Sequence, residues 1–277
     1  MQKEKFLIIP NSKELELFNN FSIFMLPLKD YSIGFNVYFD INEINEISKN
    51  KKVYVIVNKL LHNKIYEFEK LYKKFNSNIM FIVEDIGLVN IIDNKRLVLY
   101  ENHILSNYKA INYLNSLNIK NVVINNDLTI DELRTIKNKT ESNIYYFYTA
   151  KNMLMYSRRA LVSNYNKHFN IHNTDSYLLS EKVTSKEIEI NEYDTGSVVR
   201  YHKIFCASKY LDDLKDFNLI IDFTNLDEIS TKMIIDNYKE NNLCDLIDSD
   251  YYFLENEIKY KVGDLKWNMN FYYLLVI

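Results

Sequence analysis

The sequence predicts a TIM-like (β/α) barrel, not necessarily complete, carrying a small antiparallel β insertion in its C-terminal half. Three observations lead there. Short β-branched runs alternate with amphipathic helical patterns along the first half of the chain. The units recur at roughly 20–25 residues, the spacing of parallel strands joined by right-handed crossovers. The rhythm breaks after Thr149 and resumes at Asn218. An open doubly wound sheet is the alternative closure.

In chain order, Lys5–Ile9 reads as a strand, followed by a helix from Ser12 to about Asn19. Ser22–Leu28 and Phe35–Phe39 are apolar runs. Asp40 then caps a helix over Ile41–Ser48. Lys52–Val57 is β-branched at nearly every position, as a strand buried on both faces requires. Leu60–Phe75 is a helical pattern, Asn78–Val83 a strand and Ile86–Ile92 a short helix. Arg96–Tyr100 and Asn121–Ile124 are strands flanking a helix at Asn107–Leu117. Thr129 and Glu132 form a capping box for a helix to Lys137, and Asn143–Tyr148 is the next strand. Residues 150–215 hold a polar Arg/Ser/Asn segment and short alternating runs (Lys186–Ile190, Ser197–Arg200, His202–Ala207) that predict antiparallel hairpins. Asn218–Phe223 and Asp227–Lys239 restore the strand–helix rhythm, and Tyr251–Ile277 reads as β. The whole of 1–277 is expected to be one domain, with 150–215 as a segment inserted within it.

Composition narrows the function classes. The 277 residues are 47% hydrophobic and carry a net charge of only −3, so the chain is globular and has no global basic field. Nucleic-acid binding would need a local patch. The 4 glycines are scattered and form neither a dinucleotide fingerprint nor a P-loop. Cys206 and Cys244 lie far apart and predict neither a disulfide framework nor a metal pair, which points to a reduced, cytoplasmic setting. No apolar run is long enough for a membrane span.

In a βα barrel the working residues sit at the C-terminal ends of the strands. Those ends carry Asn58, Glu84 and Asp85, His103, Asn125, Asn126 and Asp127, Thr149 and Asp222. Glu84 and His103 are the candidate catalytic residues, and Asn58 and Asn126 are candidate substrate contacts. Each also has the plainer reading of a polar loop residue. His168 and His172 are four apart but lack a metalloprotease context, and no metal site is expected. No nucleophile elbow occurs. The densest unusual stretch is Tyr156-Ser157-Arg158-Arg159, followed by Ser163 and Asn164. Adjacent arginines, hydroxyls and an aromatic ring suit a phosphate, a carboxylate or a stacked base.

Tyr156-Ser-Arg-Arg-Ala-Leu-Val-Ser-Asn-Tyr165 resembles the signature of the collagenase-like peptidases of unknown catalytic type, family thirty-two of the U class, which runs approximately H-G-x-x-C-x-x-Y-S-G-R-C-x-L-S-N-Y. Lys52–Asn63, Ile82–Asp85 with Gly87 and Leu88, and Val122–Leu133 match further blocks in order, so the resemblance covers about residues 35–240. It implies a barrel. Relatives that hydroxylate tRNA wobble uridine or ubiquinone precursors hold an iron–sulfur cluster on cysteines of this region. Here Thr149 stands for the His, Ala150 and Arg158 for the glycines, and Met153 and Ala160 for the cysteines. Asn126 and Asp127 stand where the family often has Arg-Glu, while Tyr156, Ser157, Arg159, Ser163 and Asn164 persist. The resemblance therefore implies a short, cluster-free branch acting in tRNA wobble-uridine hydroxylation, with tRNA and a longer cluster-bearing paralogue as partners. Peptidase activity and an inert binding subunit are the alternatives it leaves open.

Overall fold

The computed structural model describes residues 5–101, 105–171, 174–180 and 186–255. Seven parallel strands follow one another: β1 (Phe6–Ile9), β2 (Ile23–Pro27), β3 (Lys52–Val57), β4 (Met80–Val83), β5 (Leu97–Tyr100), β6 (Asn121–Val123) and β7 (Asn143–Ala150). Helices α1 (Ile41–Ile47), α2 (Ile65–Tyr72), α3 (Tyr108–Ser116) and α4 (Ile130–Lys139) fall between them. The chain then leaves the barrel for β8 (Met153–Ser157), α5 (Leu161–Phe169), β9 (Ser176–Ser180), β10 (Glu187–Tyr193) and β11 (Gly196–Tyr201). After β12 (Ile204–Cys206) it returns as β13 (Asn218–Asp222) and ends in α6 (Glu228–Asn237) and α7 (Leu243–Leu246).

Closure rests on β13. It runs parallel to β1 from Phe6↔Leu219 to Ile9↔Asp222, and parallel to β7 from Asn218↔Tyr145 to Ile221↔Thr149. Eight parallel strands thus form the closed barrel that the alternation predicted. Side chains alternate as the pleat demands. Leu7, Ile9, Tyr54, Ile56 and Ile220 fill the interior, while Ile8, Val55, Val57, Leu219 and Ile221 pack outward into the helix layer. Asp40 with Glu43, and Thr129 with Glu132, form the two capping boxes of α1 and α4.

The insertion is a four-stranded antiparallel sheet in the order β8-β11-β10-β9, separate from the barrel sheet. Three sequence readings need correction. First, β12 belongs to the barrel sheet, antiparallel to β7, and not to the inserted hairpins. Second, two helices shrink. Ser12 Oγ accepts the Glu14 amide at 3.1 Å, a local bond that leaves only a 3₁₀ turn at Leu15–Phe18. Leu60–Phe75 divides into a 3₁₀ turn (His62–Lys64) and α2. Third, Cys206 and Cys244 form a disulfide, with Cα atoms 5.6 Å apart across 38 residues of sequence. Pairing of β12 with β7 brings Cys206 to the barrel wall, and the Cys244 amide donates to Ser208 Oγ at 3.0 Å just beyond it. The expectation of two reduced thiols is overturned. The predicted terminal strand lies mostly outside the described residues. Tyr252–Leu254 within its first part is a 3₁₀ turn.

Gly196 opens β11 at φ +147°, where a Cβ would collide with the Ser157 carbonyl and lie 3.0 Å from Arg158 Cα. Only glycine satisfies both demands. Gly196→Ala is expected to destabilise the protein by about 1–3 kcal/mol, read as a lowered melting temperature. An unchanged melt would show that the β8–β11 contact yields freely.

Candidate functional site

The C-terminal ends of the barrel strands converge on a small cavity of about 60 Å³. Its floor is the apolar barrel interior, including Ile9, Met25, Ile56, Ile82, Val123 and Phe147. Its rim carries Asn58 after β3, Glu84 after β4, Asn125, Asn126 and Asp127 after β6, Lys151 and Asn152 after β7, and Asp222 at the end of β13. This is the rim that the strand-end argument singled out. Met153, Leu154, Arg200 and Tyr201 of the insertion line it from above.

Arg200 is the central cation, and sequence reasoning missed it. It projects from β11 and is only 2% exposed. Nη1 donates to the Lys151 carbonyl at 3.2 Å, and Nη2 donates to the Gly34 carbonyl in a short bond. Nε has no hydrogen-bond partner among the described residues. Asp222 lies within its field and accepts the Thr224 amide at 2.9 Å. Burial raises the Asp222 carboxyl, against the opposing pull of Arg200 and of Thr224. The available signal was a charged residue closing the apolar run Val198-Val199-Arg200.

Glu84 is raised in the same direction, but its charged neighbour adds to the effect of burial and does not oppose it. Burial pushes its carboxyl up to about 8, and the charge of Glu101 pushes the same way. A carboxylic acid that holds its proton near neutrality can donate a hydrogen bond or transfer that proton. Asn126 donates from Nδ2 to Asn152 Oδ1 at 2.9 Å, while its buried Oδ1 has no partner among the described residues. Asn58 lines the cavity, but its amide is spent on the backbone: Oδ1 accepts Ile33 N at 2.9 Å and Nδ2 donates to Ile33 O at 3.0 Å. It pins the loop after β2 across the mouth. His103, the other candidate catalytic residue, lies outside the described residues, as does His172.

The signature residues sit elsewhere. Tyr156 and Ser157 close β8, and Ser163 and Asn164 lie in the first turns of α5. Ser157 Oγ accepts the Arg159 amide at 3.2 Å. Ser197 Oγ donates to the Arg159 carbonyl at 2.9 Å and accepts the Leu161 amide at 3.0 Å. Glu192 of β10 accepts the amides of Val162 and Ser163 at 2.9 and 3.0 Å, and the Ser163 hydroxyl as well. Burial would raise the Glu192 carboxyl, but these bonds outweigh it and hold the group below its usual range. Much of the motif therefore builds a strand-to-helix corner. Arg158, Arg159 and Asn164 are exposed on it. Tyr156 and Arg158 line a groove of about 710 Å³, opposite Lys59–Lys64, that shares no lining residue with the barrel mouth. Three of the predicted site residues thus share the mouth (Asn58, Glu84, Asn126), and the motif residues form a second cluster.

An iron–sulfur cluster does not fit these residues. Met153 and Ala160 offer no thiolate where relatives carry cysteines, and Cys206 and Cys244 are bonded to each other and buried. Among the described residues, no group of three or more His, Cys, Asp or Glu is placed to hold a metal ion, and no helix is long and apolar enough to cross a membrane.

Two outcomes follow for stability. The unfolded chain releases the Glu84 proton near about pH 4.3, whereas the folded protein keeps it up to about 8. In that window the native state binds the extra proton, so stability falls as pH rises. Glu84→Gln removes this titration, and the variant is expected to gain on the wild type in thermal melts as pH climbs from about 4 to 9. Parallel pH profiles would refute it. Arg200→Ala leaves Asp222 and two carbonyls without their cation and is expected to cost about 3–5 kcal/mol in denaturant unfolding. Arg200→Lys should recover only part, because one ammonium cannot span the same partners.

Peptidase family U32 matches over residues 28–225. Among solved structures, the U32 peptidase Mk0906 is similar with a TM-score of 0.46 and 10% identity, over 80% of this chain and 93% of that one. The spore cortex-lytic enzyme SleL of Bacillus megaterium QM B1551 is similar with a TM-score of 0.37 and 11% identity, over 80% and 70%. No curated protein sequence matches. With the family match spanning most of its length, the chain belongs to peptidase family U32.

Proposed function

We propose that the barrel mouth is the working site, that it takes a small polar molecule, and that Glu84 handles a proton there. In the cell this site would serve tRNA wobble-uridine hydroxylation, with the chain acting as a cluster-free partner of a longer cluster-bearing paralogue. The observation that carries the reading is the pairing of opposite environments at one cavity. Glu84 is held protonated at the end of β4, while Arg200 supplies a fixed positive charge roofing the same space. The described lining residues include no Ser, Thr or Cys, so no hydroxyl or thiol nucleophile of those types is among them.

The exposed Arg158–Arg159 corner supports contact with RNA phosphates. The groove beside it also contains Asp30, Asp175 and Asp194, so recognition would rest on the arginines and not on a broad basic field. Family membership supports a second reading, peptidase activity, in which Glu84 would act on a bound peptide.

The deciding measurement is 5-hydroxyuridine in tRNA from cells lacking this gene, its paralogue, or both. The modification is expected to fall in the deletion and to return with the wild-type chain, but not with Glu84→Gln. Unchanged modification in the double deletion would overturn the hydroxylation reading. Cleavage of gelatin or fluorogenic peptides by the purified protein, lost in Glu84→Gln, would establish the peptidase reading in its place.

A further inference from the structure

The N-terminal end of the barrel, opposite the mouth, holds a second concave site. A recess of about 530 Å³ opens there among the strand starts. Four lysines line it: Lys5 before β1, Lys52 opening β3, Lys95 before β5 and Lys120 before β6. Among the described residues none of the four is in an ion pair. Asp216 is the one carboxylate among the described lining residues, and it is engaged by Lys137. Tyr54 and Tyr145 reach the recess from inside the barrel with their hydroxyls 3.1 Å apart. That mutual bond uses one of their two O–H donors.

We propose that this recess binds a compact polyphosphate anion, an inorganic triphosphate or the triphosphate of a nucleotide. Like charges gathered round a concave mouth repel one another and focus a positive potential into it. The chain as a whole carries −3, so the concentration of uncompensated lysine here is local. Lysines act as separate point charges and suit the dispersed oxygens of phosphates, whereas a single carboxylate calls for the planar fork of arginine. The tyrosine hydroxyls add a donor at the floor. The recess is concave, so a short phosphate chain can bring several of its charges near the lysines at once. An extended nucleic-acid strand would seat only isolated phosphates.

Binding is tested on the full chain by calorimetry and thermal shift with inorganic tripolyphosphate, ATP, orthophosphate and a short single-stranded RNA. The wild type is expected to bind tripolyphosphate saturably and more tightly than orthophosphate, with a raised melting temperature. In Lys52→Gln/Lys120→Gln affinity should drop by roughly tenfold or more, and in Arg158→Gln/Arg159→Gln it should be unchanged. Tighter binding of ATP than of tripolyphosphate would assign a nucleotide, and equal binding the phosphate chain alone. The proposal is overturned if neither triphosphate binds saturably, if the lysine variant binds as well as the wild type, or if RNA binds more tightly than either triphosphate and loses that binding in the lysine variant. The mouth chemistry is read separately, through 5-hydroxyuridine.

Discussion

Burial of the Arg200 guanidinium determines how the insertion meets the barrel. The group stays charged at any physiological pH, so a native state that encloses it must supply compensation from every side. Here compensation comes from three separate places on the rim: the Gly34 carbonyl in the loop after β2, the Lys151 carbonyl after β7, and the charge of Asp222 at the end of β13. One side chain thus ties β11 to three points around the mouth. The same interaction explains why the cavity is small. The roof cannot lift without stranding a cation, and Asn58 secures the neighbouring loop by giving both ends of its amide to Ile33.

That arrangement leaves the two buried carboxyls of the rim in contrasting fields. Asp222 has Arg200 and the Thr224 amide opposing the effect of burial. Glu84 has the charge of Glu101 reinforcing it. Burial raises both acids, but only at Asp222 does a neighbouring cation work against it, so the two rim carboxyls hold their protons under different local charges. A molecule entering the mouth would meet a permanent cation, a proton on Glu84, and the buried Asn126 carbonyl oxygen. The apolar floor below keeps the local dielectric low, which strengthens each of these contacts.

The barrel was legible in the sequence because its physics is local and periodic. Lys52–Val57 is β-branched because both faces are buried, and Asp40 and Thr129 announce helices by satisfying orphan amides. The positions of Glu84, Asn58 and Asn126 followed from topology alone, since a parallel barrel gathers its strand ends. What escaped depends on tertiary contact. Alternation in Ser197–Arg200 places Arg200 on one face of a hairpin, but nothing local tells that this face packs onto the barrel. The disulfide needs β12 to rejoin β7 across the sheet, a pairing with no signature in the spacing of Cys206 and Cys244. The arginine- and hydroxyl-rich motif has the composition of an anion-recognition segment. Ser157, Ser163 and Ser197 instead spend their hydroxyls on the strand-to-helix corner, and the charged groups turned to solvent there are Arg158 and Arg159.

The two ends of the barrel treat positive charge in opposite ways, and burial decides which. A cation withdrawn from water must have its partners in the fold, and Arg200 has them. Lys52, Lys95 and Lys120 stay exposed at the other end, where water solvates them and no carboxylate is needed to keep the fold intact. Charge at the mouth is therefore a fixture of the native structure, and its removal registers as unfolding. At the N-terminal rim the repulsion among the lysines is carried at small cost and can be relieved by an anion from solution. Removing charge there should leave the fold alone and change only what the recess attracts, so the same kind of substitution separates a structural cation from a recognising one.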